Sequence, residues 1–333
     1  MVKKFIKKIT VGILLCFLCL FAFFGCNREP DKIIFAALRG PTTIGALQLI
    51  NSGNEDFEFL DIFATADEIS AKFTSNQASV IAVPANYAAI LNSKLNDEIV
   101  VLAINTFNVL SLLEKGETVT EVSDLTGKTI LVPGKATTPD YTLRFILDSN
   151  NLKFNEIDDI HQSKTDSVNV KYISEAAAIP ALISEGSYSL CLVPEPVATV
   201  IVLNTGARRV FSISDEWQKI TGTNDIVTGV IVCKKSFLDK NKEKVNGFLA
   251  LYKESIEYAL NASNYETVAN WMVKERLTQN SALAKASLPY FGIGYLDKIE
   301  MQAKLENYYE ILYNLDTKSV GGKIPDNNFY YLG

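Results

Sequence analysis

From Lys32 onward, short apolar runs alternate with segments whose apolar residues recur at helical spacing, which is the rhythm of an α/β protein. Ile33–Leu38 reads as a buried strand, Gly40-Pro41-Thr42-Thr43 as a turn, and 44–50 as the helix it opens. Strands follow at 57–63, 80–83 and 99–104, with helices at 67–74 and 87–91 between them. A linker-like stretch at 114–128 separates this set from a second one. There the pattern predicts strands at 129–134, 168–173, 190–193 and 210–213, and helices at 139–147 and 176–183. The units look short and parallel in type. One more strand at 228–233 leads into a helical tail. In the tail Val245, Phe248, Leu249, Tyr252, Ile256 and Leu260 share one face, and Met301, Leu305, Tyr308, Leu312 and Leu315 another. The expected fold is α/β with two strand–helix cores, the first closed by the late strand and helices.

The N-terminus has a different pattern. Lys3, Lys4, Lys7 and Lys8 precede an uncharged apolar run from Val11 to Phe24. As a helix that run rises only ~21 Å, short of a ~30 Å hydrocarbon core, so it reads as the core of a signal peptide over residues 1–25. Phe23-Phe24-Gly25-Cys26 resembles a bacterial lipobox, with phenylalanine where leucine and a small residue are commoner. Cys26 is therefore expected to be lipidated and to become the mature N-terminus. Ordinary secretory cleavage and a retained anchor are the alternatives.

Composition narrows the function. The 333 residues are 48% hydrophobic, which excludes a disordered or fibrous chain. Without residues 1–25, 28 basic residues face 38 acidic ones, a net charge of −10, so nucleic acid is not an expected partner. One histidine, His161 in a polar stretch, excludes mechanisms that need two imidazoles and the usual catalytic zinc sites. No phosphate-binding glycine loop, dinucleotide fingerprint or serine nucleophile elbow is present, and no cofactor or metal is expected. Cys191 and Cys233 read as buried strand residues, with their bonding left open.

Two strand-to-helix junctions share one construction, a glycine followed by threonines beside a proline: Gly40-Pro41-Thr42-Thr43 and Gly134-Lys135-Ala136-Thr137-Thr138-Pro139-Asp140. Unpaired helix N–H groups and threonine hydroxyls there can hold a polar ligand group, or can simply cap the helix. Arg39 and Lys135 add positive charge. Pro194-Glu195-Pro196 puts a carboxylate at another strand end, free for a ligand or for capping the next helix. Asn86, Tyr87, Phe107 and Tyr141 lie near further strand ends, where an aromatic ring can stack on a ligand or form cleft wall.

Two segments carry a family resemblance. Asp124-Leu125-Thr126-Gly127-Lys128 with Val132–Arg144, and Ile179–Pro196 with its Glu-Pro ending, resemble extracellular solute-binding proteins of ABC importers, in the NMT1/THI5-like group serving nitrate, sulfonate, taurine and thiamine precursors. The resemblance implies two α/β lobes joined by two crossing segments, 32–107 plus 226–333 and 108–225. It implies a monomer, anchored by lipid outside the cytoplasm in the cell envelope, that holds a small solute between its lobes and delivers it to permease and ATPase subunits. It carries binding roles onto Gly40, Pro41, Thr42, Thr43, Lys135, Ala136, Thr137, Thr138 and Glu195. At the first crossing, where relatives often have glycine, stands Thr106-Phe107-Asn108, so Phe107 is expected to stack on the solute. An enzyme on the same fold and a sensory or surface lipoprotein without transport are the competing functions.

Overall fold

A computed structural model describes residues 32–223 and 225–333. The leader, the lipobox and Cys26 lie outside the described residues, as does Asn224. Among the described residues no helix is long and apolar enough to cross a membrane.

Twelve strands are described: β1 (Ile33–Leu38), β2 (Phe57–Phe63), β3 (Val80–Pro84), β4 (Ile99–Phe107), β5 (Leu110–Glu114), β6 (Thr129–Pro133), β7 (Phe154–Glu156), β8 (Val168–Ile173), β9 (Leu190–Pro194), β10 (Arg208–Arg209), β11 (Val227–Lys234) and β12 (Ile293–Asp297). They form two six-stranded sheets, ordered β12-β4-β11-β3-β1-β2 and β10-β5-β9-β6-β8-β7. The fold is thus two α/β lobes, as the α/β rhythm predicts, and the late strand β11 returns to the centre of the first sheet. The sheets are mixed, not wholly parallel. β1, β2 and β3 run parallel, as do β6, β7, β8 and β9, whereas β11, β4, β12, β5 and β10 pair antiparallel.

β4 and β11 are neighbours, and at their ends the chain crosses between the sheets. The Asn108 N–H donates to the Ile226 carbonyl at 3.1 Å, and the Ile226 N–H donates to Asn108 Oδ1 at 2.9 Å. Asn108 has φ +49°, a left-handed conformation that asparagine adopts more readily than most residues. The lobes also pack against each other through rings. Phe145 and Trp217 of the second lobe lie 4.5 Å apart between centroids, and Trp217 lies 6.1 Å from Tyr308 on the helix Lys298–Leu315.

Five elements differ from the sequence pattern. The apolar run 210–213, expected as a strand, supplies a loop and the start of a helix, Ile213–Thr221. Ser212 accepts from the Asp215 N–H at 3.1 Å, and Gly222 in the left-handed conformation ends the helix. β5, β7, β10 and β12 were not anticipated. On the long helix Lys235–Leu260, Val245, Phe248, Leu249, Tyr252 and Ile256 are buried as expected, but Leu260 at the C-terminus is exposed. Cys191 on β9 and Cys233 on β11 are both free and buried, and burial pushes the Cys191 thiol up to about 12.

Candidate functional site

A cavity of about 150 Å³ lies between the strand ends of the two sheets, at the carboxyl ends of β1, β3, β4 and β9 and the amino ends of β5 and β11. Arg39, Pro41 and Thr42 follow β1, Pro84 ends β3, and Thr106 and Thr228 come from β4 and β11. Across the cavity Thr138 and Pro139 start the helix Thr138–Ser149, and Pro194 ends β9. This is where open α/β sheets bind ligands. The walls are proline rings, threonines and the aliphatic side chains Leu38, Val109 and Leu110, with Arg39 the one ionisable residue of the lining.

The first-lobe wall is built on a buried network. Asn105 donates from Nδ2 to the Thr42 carbonyl at 3.1 Å and to the Tyr252 hydroxyl at 2.9 Å, and Tyr252 in turn donates to the Thr42 carbonyl. Burial pushes the Tyr252 hydroxyl well above its ordinary pKa, so it stays a donor. Thr106 donates to Asn105 Oδ1 at 3.0 Å. Gly229 closes the arrangement: a Cβ there would sit 2.6 Å from Asn105 Oδ1, 2.7 Å from Thr42 Cγ2 and 2.8 Å from Thr106 Oγ1.

Of the residues singled out in the sequence, Arg39, Pro41, Thr42 and Thr138 come together in the lining, and Gly40 (φ +122°) makes the turn between them. The Thr42 hydroxyl donates to the Leu38 carbonyl at 2.8 Å, and Arg39 Nη1 donates to the Arg276 carbonyl at 2.6 Å. The rest lie elsewhere. Thr43 is fully buried and back-bonded to the same Leu38 carbonyl. Tyr87 donates to the Ala66 carbonyl, and Asn86 is buried on the helix Ala85–Lys94. Phe107 lies with its ring against Gly294 of β12 rather than in the lining. Lys135 is exposed and pairs with Glu156 at 2.6 Å. Ala136 is exposed at φ +60°, its N–H held by Asp140 at 2.8 Å, and Thr137 bonds back to the Pro133 and Gly134 carbonyls.

Glu195 also lies outside the lining and is 1% exposed. Its Oε1 accepts from Arg209 at 2.6 Å and its Oε2 from the Thr199 N–H at 3.2 Å. The carboxylate therefore anchors the helix Val197–Thr205 and fixes Arg209, which stacks over the Tyr290 ring of the first lobe 3.9 Å from its centroid. Tyr141 is buried on the helix Thr138–Ser149, where burial and the nearby Asp316 push its hydroxyl up to about 12. Sequence reasoning did not single out Thr106 and Thr228, because each lies on a strand whose partner is set only by the return of β11. His161 is a surface residue, its imidazole 3.9 Å from Asp159. Among the described residues no group of three or more His, Cys, Asp or Glu side chains is placed to hold a metal.

The architecture defines a class, the two-lobed binding-protein fold with its cleft at the strand ends. Residues 98–264, half of the chain, match the NMT1/THI5-like family, and the chain belongs to it. Solved structures agree on the fold. An ABC transporter protein from Parabacteroides distasonis superposes with a TM-score of 0.75 at 20% identity, covering 90% of this chain and 99% of that one. The periplasmic aliphatic sulphonate binding protein SsuA from Escherichia coli gives 0.68 at 16% identity, covering 90% and 99%. The alkanesulfonate-binding protein SsuA from Xanthomonas axonopodis pv. citri, bound to MOPS, gives 0.62 at 12%, covering 91% and 96%. None of the curated proteins matches the sequence significantly.

Proposed function

We propose that the chain is the solute receptor of an ABC importer, a lipid-anchored extracytoplasmic protein without enzymatic activity. It captures a small organic solute between lobes 32–107 plus 226–333 and 108–225 and delivers it to permease and ATPase subunits. The observation that carries this reading is the cavity itself. Its walls come from the strand ends of both sheets, so a solute there touches both lobes and favours their closure by its differential contacts. The contributors are Arg39, Pro41, Thr42, Thr106 and Thr228 on one side and Thr138, Pro139 and Pro194 on the other. Family membership and the shared fold support transport over catalysis, and the lining holds no acid, histidine or cysteine to move a proton or attack a substrate.

A thermal-shift screen of small metabolites tests it. Two of the neighbours are named for sulfonates, so sulfonates belong in the library. A solute at 100 times its dissociation constant adds about 2.7 kcal/mol of stability by mass action. A library that covers polar solutes of this size and raises the melting temperature with none of them contradicts the receptor reading.

A further inference from the structure

We infer that Arg209 and Tyr290 are positioning residues for solute capture: neither lines the cavity, and together they form a clasp that holds the two lobes closed over it. The inference rests on the receptor reading and goes on to name what keeps the receptor shut. Arg209 belongs to the lobe 108–225 and Tyr290 to the other, and the guanidinium lies 3.9 Å from the ring centroid.

Arg209 is preorganised for this contact. Its Nη2 donates to Glu195 at 2.6 Å and to Thr199 Oγ1 at 3.3 Å, its Nη1 donates to Ser111, and all three partners belong to its own lobe. With those edge donors engaged, the flat face of the guanidinium is what it presents to the ring. Glu195, fully buried, directly follows Pro194 of the lining, so the end of β9 carries both a wall of the cavity and the support of the clasp. Tyr290 is prepared differently. It stands 48% exposed on a short turn whose flanking residues Leu288 and Phe291 are buried in the first lobe. The turn is anchored without it, and the core of its own lobe does not depend on the ring.

The contact depends on the angle between the lobes. Arg209 pairs with Leu113 of β5, five residues beyond Asn108 at the crossing, or roughly 16 Å of strand. A rotation of about 15° about the crossing moves a group at that radius by roughly 4 Å, which is enough to part the guanidinium from the ring. Both side chains border a crevice of about 500 Å³ that also reaches Asn108, so the movement has room.

The test uses the purified protein carrying Trp271→Phe, which leaves Trp217 as its one tryptophan. Trp217 is 1% exposed and lies beside Tyr308 of the first lobe, so acrylamide quenching of its fluorescence rises as the lobes part. Tyr290→Ala removes the clasp, and its effect on the ratio of closed to open protein divides between two readouts. One is the rise in quenching without solute. The other is the loss of affinity for the library compound that raises the melting temperature most, because affinity scales with the closed fraction. The product of the two factors is expected to be about two- to tenfold, the range of a partly exposed cation–π contact, with the lost affinity appearing as faster dissociation. Tyr290→Phe keeps the ring and should stay within about 1.5-fold of its parent in both. A product below about twofold in Tyr290→Ala, or an equal loss in Tyr290→Phe, overturns the clasp and leaves the receptor reading standing. If no library compound binds, the receptor reading falls and quenching alone decides the clasp: a rise of about twofold or more in Tyr290→Ala supports it, and a smaller one overturns it.

Discussion

Gly229→Ala is the sharpest probe of the cleft wall. The new Cβ would lie 2.6, 2.7 and 2.8 Å from Asn105, Thr42 and Thr106, so each atom must retreat by about 0.6–0.8 Å to reach an ordinary 3.4 Å contact. None of the three is the end of a long side chain, and Asn105 is held at both ends, by Thr106 and by Tyr252. Overpacking of this kind costs about 1–3 kcal/mol. The displaced groups include two residues of the lining, so solute affinity should fall together with stability. Gly247→Ala is the reference. It sits in the helix Lys235–Leu260 with nothing within 4 Å of its Cβ, and alanine there should stabilise by about 0.5–1 kcal/mol with affinity unchanged. Urea denaturation and calorimetry on both variants supply the numbers. If Gly229→Ala matches wild type in stability and affinity, the wall is not packed as described. Lost stability with full affinity would place the solute elsewhere.

Glu195→Gln should lower stability by about 1–3 kcal/mol, because Arg209 loses its carboxylate, while affinity stays within about twofold; a collapse of affinity at unchanged stability would mean that Glu195 meets the solute after all. Burial alone would raise the pKa of Glu114, but hydrogen bonds from the Thr118 hydroxyl and N–H, the Val119 N–H and Arg208 hold it below the ordinary value. A carboxylate depressed by folding stabilises above its unfolded pKa of about 4.3, and that contribution is lost as pH falls through the folded value. The stability of Glu114→Gln measured across the acid range should therefore fall less steeply than that of wild type, and parallel curves would refute the assignment. Cys26→Ser should abolish labelling by a radiolabelled fatty acid, and labelling that persists unchanged would refute lipidation at Cys26.

The strands buried on both faces were legible in the sequence. β1, β3 and β9 coincide with their apolar runs to within a residue because a buried strand has little else to encode. The helix Ile213–Thr221 carried its own signal in the spacing of Ile213, Trp217 and Ile220 behind the cap Ser212, but the apolar Val210-Phe211 before it favoured a strand reading. β12 is a five-residue edge strand with a glycine at its second position, too short and too mixed to stand out between helices. The rule that ligands meet strand ends selected Arg39, Pro41, Thr42 and Thr138, which line the cavity. It also selected Glu195, Lys135 and Thr43, whose partners Arg209, Glu156 and the Leu38 carbonyl follow from tertiary placement and have no local signature. Thr106 and Thr228 stayed hidden for the opposite reason. Nothing in their local sequence marks them, and only the antiparallel pairing of β4 with β11 brings them to the cavity.

The most direct test of the central claim is a crystal structure of the protein with the compound that raises its melting temperature most. The account predicts that compound between the lobes, in contact with Thr42 or Thr228 on one side and Thr138 on the other. A compound bound at any site that leaves the space between Thr228 and Thr138 unoccupied would contradict it.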